Sequence, residues 1–157
     1  MPDLLVNLLR LPALDPEPAE LEAAGVVIRR AQPFELSKVR AFVEHNFSVS
    51  WADETSVGLG SQPVTVFIAV NNRSIIGFGA YECTRKAFFG PTGVLEGFRG
   101  RGVGAALLIA CLTGLRELGY VYGIIGGVGP VEFYEKTVGA IVIPDSEPGI
   151  YTTPLAD

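Results

Sequence analysis

Between residues 99 and 104 the chain reads Arg-Gly-Arg-Gly-Val-Gly, and it runs straight into an apolar stretch, Ala105–Leu118. That stretch places Leu107, Leu108, Cys111, Leu115 and Leu118 on one helical stripe, and Gly119 follows as a stop. A helix begins with free backbone N–H groups and a partial positive charge, so an anion is its natural ligand. Glycines let the backbone approach that anion and adopt dihedrals that other residues resist. Each N–H bond to a charged oxygen contributes about 1.5–3 kcal/mol. A few such bonds, with Arg99 and Arg101 beside them, suffice for a pyrophosphate. No Gly-Lys-Ser/Thr follows, which excludes a Walker A loop. Gly100-x-Gly102-x-x-Ala105 matches the dinucleotide fingerprint in form. However, Glu96-Gly97-Phe98-Arg99 separates these glycines from the preceding strand, so that match is weak.

The surrounding pattern predicts a mixed α/β domain. Val26-Val27-Ile28 is a β-branched run, and Gln32-Pro33 opens a helix with Phe34, Val39, Phe42 and Val43 at helical spacing. Residues Phe47–Gln62 read as irregular. Val64–Val70 and Ile75–Cys83 flank the polar turn Asn71-Asn72-Arg73 and read as a β-hairpin. Ala87–Phe89 and Thr92–Leu95 suggest a further strand interrupted by Gly90-Pro91. After the central helix come a strand at Tyr120–Ile125 and a short helix at Val131–Val138 stopped by Gly139. Ala140–Ile143 and Gly149–Thr153 are expected as closing strands. Residues 1–24, broken by Pro12, Pro16 and Pro18, read as an N-terminal extension whose Leu4–Leu11 piece docks as a flap on a single domain at 25–157.

The pattern Arg99-x-x-Gly102-x-Gly104 after a strand and before a helix resembles the acetyl-CoA pyrophosphate motif of the GNAT acyltransferase superfamily. Phe133-Tyr134-Glu135-Lys136 with Gly139-Ala140 is similar to that family's tyrosine helix, and the order of elements from Val26 to Tyr151 fits as well. The resemblance implies a mostly antiparallel central sheet flanked by helices. It also implies acetyl-CoA as co-substrate, held by Val94, Leu95, Arg99, Gly100, Arg101, Gly102, Val103, Gly104 and Ala105. Val94 sits where the family's fourth strand splays and offers backbone groups to the pantetheine arm. The chain departs from the family at Gly127, seven residues before Tyr134, where an asparagine is frequent, and at Ala140, where an aromatic is common.

The implied activity is direct acetyl transfer from acetyl-CoA to a primary amine of a small molecule or peptide. An alkyl amine with pKa near 10.4 is neutral in only about one molecule in 2,500 at pH 7, a deficit of about 4.6 kcal/mol, so a base or a lower amine pKa is needed. The departing thiol benefits from a proton donor. Tyr134 is the candidate acid by its match to the family helix. Glu82, on a predicted central strand, is the candidate base ahead of Glu96 and His45. Trp51, Phe47 and Phe89 are candidates to line the acceptor cleft. A non-catalytic acyl-CoA-binding module of the same fold is the alternative.

Composition narrows the partners. A net charge of −5 argues against nonspecific nucleic-acid binding. The longest mostly apolar uncharged stretch, Gly102–Leu115, is too short for a membrane span, and the Leu4–Leu9 start lacks a basic leader, so neither membrane nor signal peptide is expected. Two cysteines far apart and a single histidine give no metal-ligand spacing, and the default is a reducing, cytoplasmic setting. A homodimer is expected from family habit alone.

Overall fold

The hairpin at the middle of the chain organises the sheet. Strands β3 (Val66–Asn71) and β4 (Ser74–Tyr81) pair antiparallel around Asn72 and Arg73, both in the left-handed region at φ 47° and 65°. Two consecutive positive φ values suit the right-handed twist of a tight hairpin. In the computed structural model, which describes residues 1–156, seven strands form one sheet in the order β2-β3-β4-β5-β6-β1-β7. The others are β1 (Leu4–Asn7), β2 (Val26–Arg30), β5 (Phe88–Val94), β6 (Tyr122–Ile125) and β7 (Ile141–Val142). Every pairing is antiparallel except β5 with β6. The mixed, mostly antiparallel architecture expected from the sequence is the one observed.

Helices cover both faces. Helices α2 (Leu36–Asn46) and α3 (Val49–Leu59) bury Val39, Val43, Ala52 and Leu59 against Val66, Ile68 and Phe78. On the other face lies α4 (Val103–Glu117), whose Leu108, Cys111, Leu112 and Leu115 form a core with Leu4, Val6 and Leu8. Gly79 in β4 lets α4 lie close: a Cβ there would meet the Cys111 sulfur at 3.1 Å. Two short helices complete the chain, α1 (Pro18–Ala23) and α5 (Val131–Val138), the latter ended by Gly139 at φ 66°.

Several expectations need correction. The Leu4–Leu11 piece is no flap, because its first four residues are β1, paired with β6 on one side and β7 on the other. Leu4, Val6 and Leu8 alternate inward with no exposure; the short alternation had been masked by apolar neighbours that face the other way. Residues 47–62 are not irregular but hold α3. The Ser48 hydroxyl accepts the Trp51 N–H at 3.1 Å, while Thr55 and Ser56 turn their hydroxyls onto carbonyls one turn back. Those residues are weak helix formers, so packing rather than propensity makes this helix. Phe34 and Leu118, expected inside, are 84% and 49% exposed. Gly90-Pro91 does not interrupt β5, and residues 149–153 form no strand. Asp157, the last residue of the expected 25–157 unit, lies outside the described residues.

Candidate active site

β5 and β6 run parallel only at Phe88–Ile124 and Phe89–Ile125. Beyond that point β5 continues to Val94, while β6 ends and the chain leaves through Gly126–Pro130. Parallel strands that part at their carboxyl ends leave a gap where ligands bind in α/β folds. Here the gap is a cleft of about 730 Å³. One wall is the Gly90–Val94 half of β5, the other is Gly126–Pro130, and the Arg99–Ala105 turn closes one end.

That turn is built for an anion. Gly100 and Gly102 sit at φ 75° and 83°, and Gly102 caps α4. The first helical bond runs from the Ala106 N–H to the Gly102 carbonyl at 3.0 Å. The N–H groups of Val103, Gly104 and Ala105 are therefore left without helical partners. Arg99 donates its Nε–H to the Val94 carbonyl at 3.0 Å, fixing the loop to the end of β5, and its other guanidinium nitrogens have no partner among the described residues. Of the expected cofactor residues, Val94, Arg99, Gly100, Gly102, Gly104 and Ala105 line the cleft. Leu95, Arg101 and Val103 do not line it. The Leu95 N–H is spent on the Ile76 carbonyl at 2.8 Å, and Leu95 packs into the core beside the buried Val103. Arg101 turns outward over the Phe98 ring, 5.3 Å from its centroid. The fit of this cradle to a diphosphate therefore rests on backbone N–H groups and Arg99.

Tyr134 comes from α5 into the far wall. Its ring meets Phe133 and Phe89 edge-on, with centroids 5.0 and 6.3 Å away. Burial pushes its hydroxyl up to about 12, so the proton stays on at neutral pH. Among the described residues none hydrogen-bonds that hydroxyl, and its oxygen is not sealed from the cleft. Phe47, Trp51 and Phe89 also line the cleft. Phe47 stacks on Trp51 at 5.7 Å and lies so close over Gly93 that a Cβ there would meet its ring at 2.5 Å.

Glu82 is the expectation that this geometry does not support. It stands one residue past the end of β4, at φ 59°, and closes the turn by accepting the Ala87 N–H at 2.8 Å. The nearby Glu82 carboxylate raises the Tyr120 hydroxyl above its ordinary value. It is not among the cleft residues, and neither are the exposed His45 and Glu96. The described cleft lining contains no carboxylate, and Arg99 is its one charged residue. Cys83 is held up to about 11 by burial, and burial raises Cys111 further. Neither thiol is a nucleophile at neutral pH.

Sequence reasoning missed Gly90–Gly93, Val128 and Phe133 as lining residues. It also missed a second groove of about 430 Å³ holding Ser50, Glu54, Thr84 and Tyr151, which shares Trp51, the Phe89–Pro91 wall and Gly126-Gly127 with the first. The Trp51–Glu54 spacing of one helical turn was the available signal, hidden because the segment read as irregular.

A family model described as the acetyltransferase (GNAT) family matches residues 30–140. No curated protein matches the sequence. Among solved structures, the chain superposes on the GCN5-related glucosamine N-acetyltransferase region of a fungal multi-domain GH3 β-N-acetylglucosaminidase with a TM-score of 0.73 at 17% identity. That match covers 90% of this chain and 19% of the other. A GCN5-related N-acetyltransferase from Sphaerobacter thermophilus matches with a TM-score of 0.67 at 20% identity, over 90% of this chain and 48% of that one. An aminoglycoside acetyltransferase from an uncultured soil metagenomic sample, in complex with trehalose, matches at 0.54 and 19% identity, over 73% and 88%. At these identities the likeness is one of fold, and the chain spans under half the length of the first two.

Proposed function

Because the chain belongs to the acetyltransferase (GNAT) family, we propose that it is an N-acetyltransferase that passes the acetyl group of acetyl-CoA directly to a primary amine of a small molecule or peptide. The observation that carries this reading is the cleft between β5 and β6, with an anion cradle at one end and the Tyr134 hydroxyl at the opposite wall. The free N–H groups of Gly104 and Ala105, with Arg99, would hold the diphosphate of coenzyme A, and the β5 edge at Gly90–Val94, left unpaired by β6, would take the amides of the pantetheine arm.

The chain's own residues then have defined tasks. The apolar walls from Phe89, Ile125 and Val128 exclude water from the thioester. As the amine nitrogen bonds to the carbonyl carbon, the carbon–sulfur bond would break and the sulfur would take up a proton from Tyr134. The phenol carries its proton at neutral pH, and after the transfer it would regain one from the water that receives the proton of the amine. With no carboxylate among the described residues that line the cleft, the proton of the attacking amine would leave through water. The fungal and metagenomic relatives, described as acting on an amino sugar and on aminoglycosides, support an amine acceptor. A reducing cytoplasmic setting and a homodimer belong to the same proposal.

The test is release of free thiol from acetyl-CoA across a panel of amines. Turnover with at least one amine is expected. The lack of a carboxylate among the described cleft residues favours a second reading, a non-catalytic acyl-CoA-binding module. Coenzyme A binding without thiol release for any amine would select it.

A further inference from the structure

The second groove holds a carboxylate without an ion-pair partner among the described residues: the Met1 ammonium, on a residue that also lines the groove, is paired with Glu147 instead. Glu54 projects from α3 one turn beyond Trp51 and is half-buried, and its Oε2 accepts the Thr84 hydroxyl at 2.8 Å. Among the described residues no cation pairs with it. Arg85, next to Thr84, is exposed and turns one nitrogen onto the Thr84 carbonyl at 3.0 Å. Thr84 anchors one carboxylate oxygen, and Glu54 is among the residues that line the groove. Aromatic rings flank the same space, with Trp51 on the side shared with the acyl cleft and Tyr151 against Gly127. A fixed carboxylate between aromatic surfaces suits an ammonium group, which gains from both the charge and the ring faces.

Position separates this carboxylate from the chemistry. Glu54 lines the second groove and not the acyl cleft that holds Tyr134. An amine nitrogen attacking the thioester must lie in the cleft, so Glu54 touches another part of the same molecule. We propose that the groove of Trp51, Glu54, Thr84 and Tyr151 is the acceptor subsite, and that it selects an acceptor with a second cationic centre, such as a diamine. One nitrogen reaches past Trp51 into the cleft while the other, protonated at pH 7, sits at Glu54. This assignment rests on the N-acetyltransferase reading and adds the substrate class to it.

Trp51 is the chain's single tryptophan, so its fluorescence reports the groove without any turnover. Wild-type protein and Glu54→Gln are titrated with alkyl diamines of three to eight carbons and with the matching monoamines, in the absence of acetyl-CoA. Glutamine keeps the shape and still accepts from Thr84, so the melting temperature checks only that the variant is folded. The wild type is expected to prefer the best diamine over its monoamine by about tenfold, the size of one partly screened charge contact with a ring face. Glu54→Gln should abolish that preference, and Glu54→Asp should retain part of it. The ratio of KM values in acetyl transfer should follow the same order. Equal weakening of both amine classes, or an unchanged preference, overturns the subsite. So does a loss in Glu54→Gln of kcat on the acid limb of the pH profile for monoamines, which would make Glu54 the base. If no amine is acetylated yet the Glu54-dependent diamine preference persists in fluorescence, acetyl transfer falls and the subsite stands.

Discussion

The side chain of Arg99 holds the carbonyl of Val94 at 3.0 Å, and this one bond joins the anion loop to the strand that forms the cleft wall. Its Nε–H is spent on the backbone, and its other nitrogens remain for a phosphate. Lysine cannot do both, because it lacks the fork. Arg99→Lys is expected to weaken coenzyme A binding about tenfold, read by calorimetry, with a smaller effect on kcat.

Gly102 and Gly104 should respond differently to alanine. Gly102 has φ 83° and abuts Pro16, so a methyl group there meets both backbone strain and a close neighbour. About 1–2 kcal/mol of stability should be lost from the dihedral alone. At Gly104 the added carbon would meet Val94 at 3.8 Å and Phe133 at 4.0 Å, which is ordinary contact. Gly104→Ala should keep or raise the melting temperature, while Gly104→Asp should stay folded and lose coenzyme A affinity by charge repulsion.

Tyr134→Phe removes a hydroxyl without a protein partner, so the fold should be unaffected. If it is the acid, kcat should fall about a hundredfold or more with little change in the KM for acetyl-CoA. Unchanged turnover would remove Tyr134 from the chemistry.

The same residue predicts a pH effect on stability. Folded Tyr134 holds its proton to about 12, whereas the unfolded phenol releases it near 10. Between those values the folded state binds more protons than the unfolded one, so this contribution is intact below pH 10 and is lost as pH rises toward 12. Melting temperatures across that window should fall less steeply for Tyr134→Phe than for the wild type.

Val6→Ala tests whether β1 is integral. Val6 has no exposure and packs with Leu112 and Leu115 in one core. Truncation there should cost about 2–4 kcal/mol, measured by denaturant unfolding. Loss near zero would mean that the strand only rests on the sheet.

The legible parts of the sequence were those where local chemistry decides the structure. Pro130, Val131–Val138 and Gly139 bracket α5, and the glycines before Ala105 force the turn that starts α4. What could not be read depended on distant partners. Leu4–Asn7 alternate correctly, but nothing nearby shows that Tyr122–Ile125 lies beside them. Val49–Leu59 is helical because Phe78 and Val66 receive it, despite its serines and threonines. Glu82 looked strand-borne because the apolar run reaches Cys83, yet the strand stops at Tyr81. Glu54 went unnoticed for the same reason as its helix.

The placement of β1 between β6 and β7 also sets the order of folding events. On a ribosome, Leu4, Val6 and Leu8 emerge well before their partners at Tyr122–Ile125 and Ile141–Val142. The entropy of closing so long a loop grows only slowly with length, so the finished sheet is not weakened by it. The delay is kinetic: a greasy, strand-forming segment stays without a mate until β6 and β7 have been made, and such segments invite pairing between chains. Moving that segment behind β7 by circular permutation would shorten the wait, and yield on refolding should rise with it.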